Sequence, residues 1–143
     1  MGHQDKGHFA AKHNDRQINK AIAEKIRTLA NDNSLTCASA HRAGKALKIS
    51  SLEIGVQIDL LECQISECQL GLFGYGDGEK RIDPDIEIST DLNGQLDKTN
   101  KDSRISCLEC WEIAKNLKIK RLDVASACEK KNIRIRPCQL GAF

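Results

Sequence analysis

Aromatic side chains are nearly missing from this chain, which has three Phe, one Trp and one Tyr in 143 residues. Layered β-proteins lean on aromatic and β-branched packing, so this scarcity, beside abundant Leu, Ile and Ala, favours small helical cores. Also missing is any apolar run near the ~20 residues that span a bilayer, and the opening MGHQDKGHFAAKHND lacks the apolar centre of a signal peptide. The expectation is a soluble, cytoplasmic protein with no membrane partner. The net charge of +2 is too small to mark a nucleic-acid binder by itself, so the distribution of charge has to decide. A chain of this length builds one ordinary domain or two very small ones, with little room for a large catalytic apparatus.

What the chain does have is a tetrapeptide written twice, Cys68-Gln69-Leu70-Gly71 and Cys138-Gln139-Leu140-Gly141, at an offset of 70 (138 less 68). The same offset, without a gap, sets Ile18 on Ile88, Cys37 on Cys107, Lys45 on Lys115, residues 47–49 on 117–119, Leu52 on Leu122, Ile65 on Ile135 and Phe73 on Phe143. Conservative pairs fill the intervals, among them Ile22 with Leu92, Ile26 with Leu96 and Ile54 with Val124. Residues 16–73 and 86–143 therefore read as two copies of one unit. A leader, 1–15, reads as flexible, and the Gly-rich, charged stretch 74–85 with Pro84 reads as a linker.

Within a copy, Ile18, Ile22, Ile26 and Leu29 share one helical face. Asn33 or Ser34 offers a cap for a second helix, although Leu35-Thr36 also suits a short strand first. Ala40, Ala43, Gly44 and Leu47 point that helix inward, matched by Cys110, Ile113, Ala114 and Leu117. A third helix holds Leu52, Ile54 and Ile58, or Leu122, Val124 and Cys128. The alternating IRIRPCQL closes the second copy as a strand, and we expect the closing strands at 65–70 and 135–140 to pair. Asn93-Gly94 is a common hairpin pair, but the gap-free alignment favours a helix there. The fold class expected is mainly α with a minor β part: two tandem repeats of three helices and a closing strand.

Residues 113–135, IAKNLKIKRLDVASACEKKNIRI, resemble the helix-turn-helix of winged-helix DNA-binding proteins. Ala114 is the small contact residue, Leu117 and Ile119 flank the turn, and Val124 anchors the second helix of the pair. The first copy matches with Gly44, Leu47, Ile49 and Ile54. A lysine, Lys48 or Lys118, stands where the pattern usually has glycine. The resemblance implies a DNA-binding transcriptional regulator or accessory factor whose partner is double-stranded DNA. In the second copy, with eleven Lys and Arg against eight Asp and Glu, Lys120 and Arg121 would begin a recognition helix with Ser126 nearby. Lys118, Lys130, Lys131, Arg134 and Arg136 would meet phosphates. The first copy's third helix bears Glu53, Asp59 and Glu62, which repel phosphate. Its Val56, Leu60 and Leu61 suit an interface with the sister copy, a homodimer mate or another protein. The alternative is an interaction module that keeps this shape without DNA.

Seven cysteines, an odd number without an export signal, argue for reduced, buried thiols rather than a disulfide framework. A redox or metal sensor is the lesser alternative, with Cys107, Cys110, Cys128 and Cys138 as its four thiolates. A second close cysteine pair is missing, and Ala40 and Ile58 replace two of the four in the first copy. No cofactor is expected. His3, His8, His13 and His41 form no evident catalytic pair with a cysteine, and GLFGYGDG lacks the setting of a phosphate loop. Enzymatic activity is not expected.

Overall fold

The computed structural model describes residues 9–13 and 15–142, and most of its helices begin where a side-chain oxygen meets the first free amides. Asn19 caps α1 (Lys20–Leu29), Thr36 caps α2 (Cys37–Leu47) and Ser50 caps α3 (Ser51–Leu60). Ser89 caps α4 (Thr90–Thr99), and Ser106 with Glu109 forms a reciprocal capping box on α5 (Cys107–Leu117). Only α6 (Arg121–Lys130), which follows Lys120, has no side-chain cap. With the short strands β1 (Ser34–Thr36), β2 (Gln64–Ser66), β3 (Arg104–Ile105) and β4 (Arg134–Ile135), the described residues form a mainly α structure with a small β part. Each helix of the second copy starts 70 residues after its counterpart: Lys20 and Thr90, Cys37 and Cys107, Ser51 and Arg121.

The stretch around Asn93-Gly94 is helical, as the alignment implies, because Leu92 and Leu96 bury one face while both turn-prone residues stay exposed. Ile18 departs from its expected place. It precedes the Asn19 cap and is 48% exposed. The turn after α2 and α5 takes the left-handed backbone a glycine would favour, at Lys48 (φ 58°) and Lys118 (φ 57°). A bond from the Ile49 amide to the Gly44 carbonyl (2.9 Å), and one from Ile119 to Ala114 (3.0 Å), close these helix ends.

The strands differ from expectation in partner and extent. β2 pairs in parallel with β1, and β4 with β3, rather than the closing strands pairing with each other. They also end before the repeated tetrapeptide: residues 69 and 70 lie in a turn, as do 139 and 140, and Gly71 and Gly141 take positive φ. Leu70 and Leu140 are fully buried, which explains why a turn is written with the same apolar residue twice.

Two compact units result, and their boundaries do not follow the copies. The first takes the described residues up to Cys68 together with those from Gln139 on, and the second takes Gln69–Cys138. In the first unit α3 approaches the closing turn so closely that a Cβ on Gly55 would sit 1.8 Å from the Leu140 carbonyl oxygen. In the second, a Cβ on Gly71 would meet Leu122 Cδ2 at 2.4 Å.

The third helices form the centres. Residues 54–58 of α3 and 124–128 of α6 are buried without interruption, which places cover on every side of each helix. The stretch expected as a flexible leader supplies part of this cover. A 3-10 helix, Phe9–His13, buries Phe9, and the Phe9 and Ala10 amides both donate to the Glu62 carboxylate (3.0 and 2.9 Å). Residues 1–8, with His3 and His8, residue 14 and Phe143 of the repeat alignment lie outside the described residues. The expected linker likewise folds against its own unit: the Asp83 amide donates to Ser126 Oγ (2.9 Å) and Lys80 pairs with Glu129 (2.9 Å).

Candidate nucleic-acid interface

A parallel ladder puts residues far apart in sequence side by side, and in the second unit it does so with arginines. Arg104 and Arg134 are direct partners across β3 and β4, and both are exposed while the next pair, Ile105 and Ile135, is buried. Arg136, two residues on and hence on the same face, is also exposed. Its amide continues the ladder to the Ile105 carbonyl (2.7 Å). Lys101 joins them through a tight turn in which it and Arg104 exchange backbone bonds (2.8 and 3.0 Å). At the matching positions of the first unit, 70 residues earlier, stand Asn31, Ser34, Gln64 and Ser66, none of them charged.

This row recovers Arg134 and Arg136 from the sequence reading and adds Lys101 and Arg104, which that reading missed. The signal available lay in the two copies compared position by position, where Asn31, Ser34, Gln64 and Ser66 stand among nine neutral residues of the first copy that become Lys or Arg in the second. Adjacent like charges across strands disfavour the fold, and none of the four side chains has an ion pair among the described residues.

The other expected contacts divide. Lys118 and Lys120 are exposed beside the α5–α6 turn. Arg121 is half-buried, its guanidinium 3.6 Å from the centre of the Trp111 ring and its Nη1 donating to Gln69 Oε1. Lys130 donates to the Ile86 carbonyl (2.8 Å), and Lys131 pairs with Asp97 (2.6 Å) and donates to Asn93. Ser126 is a correction. At 2% exposure, with its hydroxyl donating to the Leu122 carbonyl and accepting from the Asp83 amide, it has no surface for a base edge. The same burial keeps residues 124–128 of α6 from entering a groove and leaves the start of the helix, with Lys120 exposed and Arg121 half-buried, as its more accessible end.

In the first unit Val56 is also a correction: it is 7% exposed and belongs to the core. Leu60 and Leu61 are half-buried. Among the described residues, the large apolar side chains left in solvent are Ile18, Leu52 and Leu108.

All seven cysteines are buried, and none is joined in a disulfide. Among the described residues no three His, Cys, Asp or Glu side chains gather as a metal site, so the four-thiolate alternative does not assemble. A hydrogen bond to Cys128, with burial added, holds the Cys110 thiol above its ordinary range while the same bond lowers Cys128, and burial raises Cys63. Cys110 and Cys63 therefore resist the thiolate form that a nucleophile or metal ligand needs. No helix among the described residues is long and apolar enough to cross a membrane. Compared with family models, curated proteins and solved structures, the chain matches none.

Proposed function

We propose that this chain binds double-stranded DNA through its second unit and acts as a DNA-binding regulator or accessory factor. The observation that supports this reading best is the row of Lys101, Arg104, Arg134 and Arg136 on a ladder whose counterpart in the first unit is neutral. A polyanion laid along the row would turn a repulsive arrangement into an attractive one and release its own counterions. Arginine suits the role because its planar fork meets two phosphate oxygens at once. Lys118 and Lys120 extend the basic surface beside the turn that carries the helix-turn-helix resemblance, where Ala114 and Val124 are buried as that pattern asks.

With the inner residues of α6 withdrawn, binding rests on phosphates, and discrimination among sequences is weak. The test is anisotropy of a short labelled duplex at low salt, for the natural chain and for a variant taking the first unit's residues, Lys101→Asn, Arg104→Ser, Arg134→Gln and Arg136→Ser. The variant is expected to lose affinity by at least about tenfold. Absence of binding by the natural chain, or equal binding by both, overturns the proposal.

A further inference from the structure

The outward face of α5 presents Leu108, Trp111, Glu112 and Lys115 at helical spacing, and the turn Lys118–Arg121 closes its end. Together they line an open groove of about 620 Å³ floored by Leu108, Trp111, Ala114 and Ile119. Leu108 is 51% exposed in a chain with few large apolar side chains left in solvent. Three cations, Lys115, Lys118 and Arg121, rim the groove against one carboxylate, Glu112. The first unit keeps Lys45 and Lys48 at two of these places but has Ala38 for Leu108, His41 for Trp111 and Ser51 for Arg121. The second unit therefore differs in having an apolar floor beneath its positive rim.

We infer that this groove is a docking site for an acidic peptide segment of a partner protein, one that presents an apolar stripe between Asp and Glu side chains. Apolar residues would cover Leu108 and the half-buried Trp111 while carboxylates meet Lys115 and Lys118. A free anion would use the cations and leave Leu108 in water. Stacking of a nucleobase on the ring face that Arg121 covers is blocked by the guanidinium at 3.6 Å. A second copy of this chain is a poor occupant, because the acids beside its own apolar helix α3 are already engaged. Glu53 pairs with Arg16, Asp59 with Lys12 and His13, and Glu62 with the Phe9 and Ala10 amides. The row Lys101, Arg104, Arg134 and Arg136 lies outside the groove lining, and Lys118 is the one residue common to the groove and the proposed DNA surface, so the ladder variant separates the two readings.

Trp111 is the sole tryptophan, so its emission reports directly on this surface. The experiment titrates the full chain with a synthetic helix-forming peptide carrying Leu at positions i, i+3, i+4 and i+7 and Asp or Glu at the rest. Two controls replace the acids by Lys or the leucines by Ser. The expected result is a saturable emission change with the first peptide, with both controls at least about tenfold weaker. Leu108→Ala and, separately, Lys115→Glu with Lys118→Glu should each weaken binding by about the same factor, with unchanged circular dichroism. The four-residue ladder variant should bind the peptide as the natural chain does. No emission change with the acidic peptide, equal binding of the lysine peptide, or competitive displacement by duplex DNA from the ladder variant overturns the inference; the last would assign the groove to nucleic acid.

Discussion

The guanidinium of Arg121 lies 3.6 Å from the centre of the Trp111 ring, whereas at the matching positions of the first unit the Ser51 hydroxyl meets His41 Nδ1 at 3.1 Å. One position in each helix pair thus joins the second helix of a copy to the start of its third, by a cation over an aromatic face in one unit and by a hydrogen bond in the other. Arg121→Ser should cost about 0.5–2 kcal/mol and shift tryptophan emission. Arg121→Lys should recover part of the stability, since an ammonium keeps the attraction and loses the planar stack. Urea unfolding followed by Trp111 emission checks both, and an unchanged midpoint for Arg121→Ser would contradict a stabilising stack.

Lys48 sits at φ 58° without the freedom of glycine. A residue with a Cβ pays about 1 kcal/mol there, so Lys48→Gly should stabilise the chain by up to about that amount, while Lys48→Ala should not. Chemical denaturation of the three proteins at one pH decides this.

Gly55 allows α3 to approach the closing turn. Because a Cβ would meet the backbone oxygen of Leu140 at 1.8 Å, Gly55→Ala cannot be absorbed by rotating a side chain. The expected cost is at least about 2 kcal/mol. Amide exchange around 139–142 should quicken more than exchange in α5, since the turn must move off the helix.

The Glu53 carboxyl is held below the usual carboxylate range, first by its hydrogen bond from Gln57 and then, against a smaller opposing effect of burial, by Arg16. A depressed folded-state pKa contributes stability that is present above the unfolded value, near 4.5, and is lost as pH falls through the folded one. Acidification below 4.5 should therefore destabilise the natural chain more than Glu53→Ala, measured as the difference in unfolding midpoint between neutral and acid pH.

The helices were legible in the sequence because their faces repeat and the two copies reinforce each other; α4 is the clearest case, since its Asn93-Gly94 alone argues for a turn. Local pattern is silent on what surrounds an element. Ser126 and Val56 look surface-accessible when a helix is compared with a reading helix, but the stretches before α1 and α4 fold back over α3 and α6. Arg104 escaped notice for a related reason: it lies 30 positions before Arg134 in sequence, and only parallel pairing makes the two neighbours. The repeated Cys-Gln-Leu-Gly looked like the end of a strand because its apolar residue follows an alternating run, whereas the chain turns there to bury Leu70 and Leu140.

The most direct test of the account is the salt dependence of duplex DNA binding for the natural chain and for the variant bearing Asn, Ser, Gln and Ser at 101, 104, 134 and 136. Each phosphate contact contributes close to one unit to the slope of log K against log salt, so the natural chain should show a slope steeper by about three to four. Equal slopes in the two proteins would contradict the claim that this row of cations meets the phosphate backbone.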